Sequence, residues 1–142
     1  MTRNLTALAL SAALIGGLAS TAFAADPSVE ARQALMKSFG AAAKTLGGMA
    51  GGGAYDAAAA EAAKAALVDG AAQIAAKYEV NVEDPDSEAK PEVWTNWDDF
   101  LAKAKALGDA AAAMDVASVE GIGAGMGAVG GACKACHTSY RQ

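Results

Sequence analysis

Apolar residues recur at intervals of three and four along most of this chain, while the strict alternation typical of β-strands does not recur. This spacing predicts helices over residues 28–46, 55–78 and 91–114. A fourth helix is predicted to begin after Ser118, a good N-cap residue, and to run to the C-terminus. Four helices with mostly short connections indicate an all-α fold, an antiparallel up-down four-helix bundle in a single domain.

The connections are indicated by residues that interrupt helices. Gly47 and Gly48 are a plausible stop for the first helix, and Gly51–Gly53 form a turn before the second. Residues 80–90 carry Pro85 and several acidic side chains, so they are predicted to be a surface connection. Pro91 suits the first turn of the third helix.

The last stretch contains six glycines between residues 121 and 131, each of which disfavours a helix by about 0.8 to 1 kcal/mol relative to alanine. Its larger side chains nevertheless keep a spacing of four and three. They are Ile122, Met126, Val129, Cys133, Cys136 and Tyr140. We interpret the stretch as a helix stabilised by tertiary contacts, with glycines that let another group approach its backbone. The alternative is a glycine hinge before a short C-terminal helix.

Residues 1–24 have one basic residue, an apolar run and the small-residue ending Ala22-Phe23-Ala24, the pattern of a cleaved secretory signal peptide. An uncleaved anchor is the alternative. Cleavage leaves residues 25–142 as the domain, with ten Lys and Arg against sixteen Asp and Glu, a net charge of −6. We therefore expect a periplasmic protein with no membrane span after signal removal and no nucleic-acid partner.

Two motifs lie in the C-terminal stretch. Residues 125–130 match G-x-G-x-x-G, but without a preceding strand or the required acidic residue the match has no dinucleotide-binding context. Cys133-Lys-Ala-Cys136-His137 matches C-x-x-C-H, the attachment motif of c-type haem, in which two thiols bind the vinyl groups and the imidazole binds iron. The spacing is too short for a structural disulfide. A free thiol or a non-haem metal site using Cys133, Cys136 and His137 stays open as a remote alternative.

His137 is the only histidine, so a second histidine ligand from the same chain is excluded. The sixth iron position is then a methionine, another group, water or vacant. Met36 is the most interesting methionine because it follows Arg32 by one turn on the inner face of the first helix. Arg32 interrupts that apolar face, and either a haem propionate or an Asp or Glu side chain would compensate its charge. Gln33 is a candidate hydrogen-bond donor at the pocket rim.

With the attachment motif at the end of a four-helix chain, the protein resembles the cytochromes c′, the class II c-type cytochromes. The resemblance covers residues 25–142. It is carried by EARQALMKSFG in the first helix, KPEVWTNWDDF at the start of the third, and most specifically by GGACKACHTSYR at the end.

The resemblance implies one haem c attached through Cys133 and Cys136, with His137 as the proximal ligand. It places Arg32 and Gln33 at the propionates and Met36 over the open face of the iron. Glu88, by alignment across a variable loop, is implied as a further haem contact.

The family's usual state is five-coordinate, high-spin iron that binds small gases such as nitric oxide and carbon monoxide or transfers electrons to redox partners, and many members are homodimers through the first two helices. We expect no enzymatic turnover. In low-spin relatives a first-helix methionine is the sixth ligand, so a low-spin electron carrier that uses Met36 is the alternative.

Overall fold

The computed structural model describes residues 25–142, and the predicted signal peptide, residues 1–24, lies outside the described residues. Five helices form. They are α1 (Pro27–Ala50), α2 (Ala57–Tyr78), α3 (Glu92–Thr95), α4 (Trp97–Ala113) and α5 (Val119–Tyr140). In this part of the chain there is no strand, only an isolated antiparallel bridge between Ala89 and Arg141. No helix among the described residues has the length and apolar character to cross a bilayer.

The four long helices form an antiparallel bundle. Helix α1 packs on α2, α2 on α4, α4 on α5, and α5 packs back on α1, so the bundle closes on itself. The predicted all-α four-helix bundle is confirmed. The core is built from aliphatic and alanine side chains, with aromatic rings concentrated near the end of α5.

Three of the helices begin at side-chain caps. Asp26 accepts from the Ser28 amide at 2.8 Å, and Asp56 accepts from the Ala59 amide at 2.9 Å. Ser118 accepts from the Gly121 amide at 3.1 Å, so the predicted N-cap of the last helix is correct. Each cap satisfies an amide that the first helical turn leaves without a partner.

The predicted end of the first helix is wrong. Helix α1 continues through Gly47 and Gly48 because the following turn buries Met49, and the burial outweighs the helix propensity of two glycines. The chain turns only at Gly51 and Gly52, where Gly52 has φ of +99°, a conformation that favours glycine.

The predicted third helix is two helices. Asn96, with φ of −122° and ψ of 45°, separates α3 from α4. The helical spacing predicts an inner face of Trp94, Trp97, Leu101, Ala104 and Gly108, of which Ala104 is buried and the other four are half-buried. The other buried positions are Val93, Phe100, Leu107 and Ala111. The break at Asn96 changes which side of the helix faces the core, and a pattern that assumes one continuous helix of 3.6 residues per turn does not predict this change.

The glycine-rich stretch is a continuous helix, so the hinge alternative is wrong. In α5, Ile122, Val129 and Tyr140 are buried, and the intervening members of the predicted stripe, Met126, Cys133 and Cys136, are half-buried against the core. Gly125 explains part of the glycine content, because a Cβ there would lie 2.4 Å from Met114 Cγ. Close packing against the end of α4 therefore requires glycine at this position.

Candidate haem site

Helix α5 carries the attachment motif on its last turns, and we call residues 133–137 the attachment turn. Cys133 and Cys136 lie one turn apart and half-buried against the core, and both thiols are free. His137, the next residue, is exposed. Continuous helical geometry thus presents two thiols on one stripe and an imidazole beside them.

The electrostatics of this turn argue against a reactive thiol pair. Burial raises the pKa of both Cys133 and Cys136, whereas redox-active thiols have a lowered pKa. Among the described residues there is also no group of three or more His, Cys, Asp or Glu side chains that could hold a metal ion. Partial desolvation, and secondarily the charge of Arg141, lower the pKa of His137, which favours the neutral imidazole that binds iron.

Arg32 is a buried cation held by neutral groups. It is 3% exposed, and its Nε donates to the Lys77 carbonyl at 2.9 Å while one terminal nitrogen, NH2, donates to the Val80 carbonyl. The guanidinium lies over the rings of Tyr78 and Trp94, 5.0 and 5.2 Å from their centroids. Arg32 of α1 therefore caps the C-terminal end of α2 and stacks between two aromatic residues.

The other terminal nitrogen of Arg32, NH1, is buried and has no hydrogen-bond partner among the described residues. No ion pair in this part of the chain includes Arg32, so the alternative in which an Asp or Glu neutralises it is not supported. Burial lowers the pKa of Arg32, as expected when a cation is desolvated without a counter-ion in contact. A haem propionate would supply the anionic acceptor that NH1 lacks, so the residues fit the group.

Aromatic rings link Arg32 to the attachment turn. The Tyr78 ring lies 5.1 Å from that of Phe100, and Phe100 lies 5.3 Å from Tyr140 in an edge-on arrangement. Burial raises the pKa of Tyr78, and the charges of Arg32 and Cys136 act on it as well. The buried cation and the second cysteine are thus both close enough to Tyr78 for their charges to act on its pKa.

The remaining predicted site residues lie in separate contacts. Gln33 Nε2 donates to the Asp86 carbonyl at 3.0 Å, which ties α1 to the connection between α2 and α3. Met36 is half-buried against the core. Glu88 is exposed, and its carboxylate lies 2.7 Å from the guanidinium of Arg141. The roles of these residues at a haem stay predictions.

Sequence reasoning placed Tyr140 on the inner stripe but missed its partner. The Tyr140 hydroxyl donates to Asp99 on the first turn of α4 at 2.5 Å, and this hydrogen bond raises the pKa of Tyr140 to about 12. Lys103 lies 3.3 Å from the same carboxylate. Polar residues at the exposed start of a helix give no sequence pattern that identifies such a contact.

A cleft of about 520 Å³ opens at the break between α3 and α4. Its lining includes Trp94, Asn96, Trp97, Asp99 and Tyr140, and none of Cys133, Cys136 or His137. The attachment turn lies outside the cleft, so the cleft does not define the haem position.

Comparison with known proteins agrees with this geometry. The sequence profile described as cytochrome C′ matches residues 27–141. Cytochrome c-556 of Agrobacterium tumefaciens (strain apple 185) is 36% identical over 116 residues, which covers 79% of this chain and 92% of that protein. A cytochrome c′ of Cereibacter sphaeroides is 35% identical, over 93% of this chain and 95% of that protein.

The fold is also shared with solved structures. One is the nitric oxide complex of a point mutant of cytochrome c prime from Alcaligenes xylosoxidans. It superposes with a TM-score of 0.71 at 28% identity, covering 81% of this chain and 94% of that one. Because the family profile spans nearly all of the described residues and includes the attachment motif, this chain belongs to the cytochrome c′ family, and it is a c-type haem cytochrome.

Proposed function

We propose that this cytochrome carries one haem c, attached by thioether bonds to Cys133 and Cys136, with His137 as the proximal ligand of the iron. The spacing of the thiols on one helical stripe and the neutral imidazole beside them support the assignment. Addition of each thiol S–H across a vinyl group gives the thioether without an oxidant. When bound, the haem supplies an iron that exchanges one electron and has a coordination position for a diatomic gas.

The unpaired NH1 of Arg32 is the observation that carries the proposal toward the propionates. A buried donor without an acceptor costs about 1 to 3 kcal/mol, more for a charged group, so an anion at this position would offset a real penalty. The two carbonyls and two rings fix the guanidinium before any ligand arrives. Arg32 would thus act as a preorganised propionate donor, with Gln33 at the rim and Glu88 as a proposed contact.

We place the iron in the five-coordinate, high-spin state, with the sixth position available to nitric oxide or carbon monoxide. The chain has one histidine, so the sixth ligand is not a second imidazole of the same chain. The solved relative from Alcaligenes xylosoxidans is a nitric oxide complex, which supports gas binding in a bundle of the same fold. Members of this family are mainly electron carriers or gas binders, so electron transfer to a redox partner belongs to the same proposal.

A second candidate function is a low-spin electron carrier with Met36 as the sixth ligand. The observation that favours it is the position of Met36, half-buried on α1 one turn after Arg32. In that case the iron has no free position, and the protein transfers electrons without binding gas.

Location and assembly complete the proposal. Export to the periplasm rests on the signal-peptide pattern of residues 1–24, and haem c attachment is compatible with it. A homodimer through α1 and α2 belongs to the same proposal. Its support is a groove between the two helices, lined by small residues that include Ala31, Ala34 and Ala66 and by the polar residues Asp69, Gln73 and Lys77. Sedimentation velocity at several concentrations measures the dimer directly.

The test begins with haem staining of the denatured protein, because only a covalently attached haem survives denaturation. The ferric protein at neutral pH is then examined by electron paramagnetic resonance, with a high-spin signal expected. Met36→Leu should leave that signal in place, and so should the matched control Met126→Leu, which also replaces a half-buried methionine packed against the core.

The outcomes separate the candidates. A low-spin signal that Met36→Leu converts to high-spin and Met126→Leu does not would overturn the gas-binding assignment in favour of the electron carrier. Absence of covalent haem in protein produced with the haem-attachment apparatus would overturn both.

A further inference from the structure

The C-terminal half of α5 places one buried side chain in the core. After Val129, Tyr140 is the only fully buried residue in α5, and Cys133 and Cys136 are half-buried. A Cβ at glycine 127, 130 or 131 would meet no neighbour among the described residues, and these glycines weaken the helix locally. The end of α5 is also tied to residues 88–90, where the Lys90 amide donates to the Tyr140 carbonyl at 2.9 Å and Glu88 pairs with Arg141. The Tyr140 side chain adds the contacts that join this end to α4.

Those contacts join α5 to the first turn of α4. The Tyr140 hydroxyl donates to the Asp99 carboxylate at 2.5 Å and is 3.4 Å from the Asn96 carbonyl. Its ring meets Phe100 edge-on, with centroids 5.3 Å apart. Lys103 lies 3.3 Å from Asp99 and holds the carboxylate from the other side.

The contact is directional and charge-assisted. A hydrogen bond to an ionised carboxylate is shorter and stronger than one between neutral groups, so it fixes rotation as well as distance. Tyr140 follows Cys136 by four residues and His137 by three, which places all three on adjacent turns of the helix. A rotation of α5 about its axis would therefore move the second thiol and the imidazole together.

We propose that Tyr140 and Asp99 are a positioning pair that holds the attachment turn in register with α4 and thereby sets the orientation of Cys136 and His137. The part of this inference that concerns the iron rests on the proposed function, because it requires His137 to be the proximal ligand. The part that concerns the helix does not require haem.

The chain provides matched controls for both residues. Tyr140→Phe keeps the ring and removes the hydroxyl, and Tyr55→Phe removes another tyrosine hydrogen bond, 2.9 Å to the Val116 carbonyl, away from the attachment turn. Asp99→Ala removes the acceptor, and Asp98→Ala removes the neighbouring exposed acid of the same helical turn. The double variant Tyr140→Phe/Asp99→Ala completes the cycle.

Two readouts are measured on the purified protein. Amide hydrogen exchange should become roughly tenfold faster at residues 136–141 in Tyr140→Phe and Asp99→Ala, no faster again in the double variant, and unchanged in the two controls. The iron–imidazole stretching band of the ferrous protein should shift in the same variants, because this band reports the orientation and hydrogen bonding of the proximal ligand.

Additive effects in the double variant, or exchange in Tyr140→Phe no faster than in Tyr55→Phe, would overturn the positioning pair. Faster exchange with an unmoved stretching band would show that the pair stabilises the helix end without orienting His137, which also overturns the inference. If the protein holds no covalent haem, the proposed function fails, while the exchange data still decide whether Tyr140 and Asp99 hold the turn.

Discussion

Replacement of Gly125 by alanine separates local helix propensity from tertiary packing in the attachment helix. A Cβ at position 125 would lie 2.4 Å from Met114 Cγ, 2.9 Å from its Cβ and 3.2 Å from its Cα. Met114 is 2% exposed, and its Cβ and Cα cannot move away as the tip of a flexible side chain could. We therefore expect Gly125→Ala to force α5 away from the end of α4.

The magnitude follows from a matched control two residues later. A Cβ at Gly127 would meet nothing within 4 Å among the described residues, so Gly127→Ala should gain the full helix propensity of alanine, about 0.8 to 1 kcal/mol. Gly125→Ala gains the same term but incurs an overpacking cost of about 1 to 3 kcal/mol. Because the propensity term cancels, the two variants should differ in unfolding free energy by about 1 to 3 kcal/mol.

Urea unfolding followed by far-ultraviolet circular dichroism measures this difference from the midpoints, provided that the m-values agree. The difference should also appear as a separation of melting temperatures of about 4 °C for each kcal/mol. The reasoning is refuted if Gly125→Ala is as stable as Gly127→Ala to within about 0.5 kcal/mol, the usual effect of a surface substitution.

Three further predictions follow from the site. Gly130→Ala should lower the fraction of chains that acquire haem more than Gly127→Ala does, because Gly130 lies one turn before Cys133 and is proposed to leave room for the haem. A Cβ at either position would have no described protein neighbour within 4 Å, so equal haem content measured by absorbance would contradict that role. Arg32→Met should destabilise the haem-loaded protein by about 1 to 3 kcal/mol, because two carbonyls and the proposed propionate lose a buried donor. It should also lower the midpoint potential in redox titration, because a cation near the haem favours the reduced state, and an unchanged potential would remove Arg32 from the site. Asp99 raises the pKa of the Tyr140 phenol to about 12, so this group should ionise at higher pH than an ordinary tyrosine in ultraviolet titration, and normal ionisation would contradict the hydrogen bond. The stability that the hydrogen bond contributes should be complete below about pH 10 and should be lost as the pH rises through the folded-state pKa.

Helix boundaries could be predicted where the periodic spacing of the larger side chains in the sequence matches the side chains that the bundle buries. Helix α5 is the clearest case, since its side chains keep their spacing over residues that disfavour helix locally, and Ser118 marks its start. The end of α1 and the break at Asn96 could not be predicted in the same way. Both depend on which side chains the finished bundle can bury, and that information is not local to the sequence.

The residues of the candidate site also differ in whether local sequence identifies them. Cys133, Cys136 and His137 can be proposed from the sequence because the attachment chemistry requires adjacent residues, so the motif is local, and their role at a haem stays a prediction. The partners of Arg32 were not, because Lys77 and Val80 are 45 and 48 residues away in sequence and contribute only backbone carbonyls, which no residue type signals. The sequence predicts an anion beside Arg32, a propionate or an acidic side chain, whereas no acidic side chain of the described residues forms an ion pair with it and Asp26 acts on its pKa only at longer range.

Arg32 raises the question of why a cation is buried in a bundle core without a counter-ion from the described chain. A desolvated charge is costly, and two carbonyls with two aromatic faces recover only part of the lost hydration. What this arrangement does provide is a guanidinium whose conformation is already fixed, with one terminal nitrogen left for a ligand. A propionate bound at this donor, as proposed, would order little of the protein, so the penalty borne by the haem-free chain would contribute to haem binding.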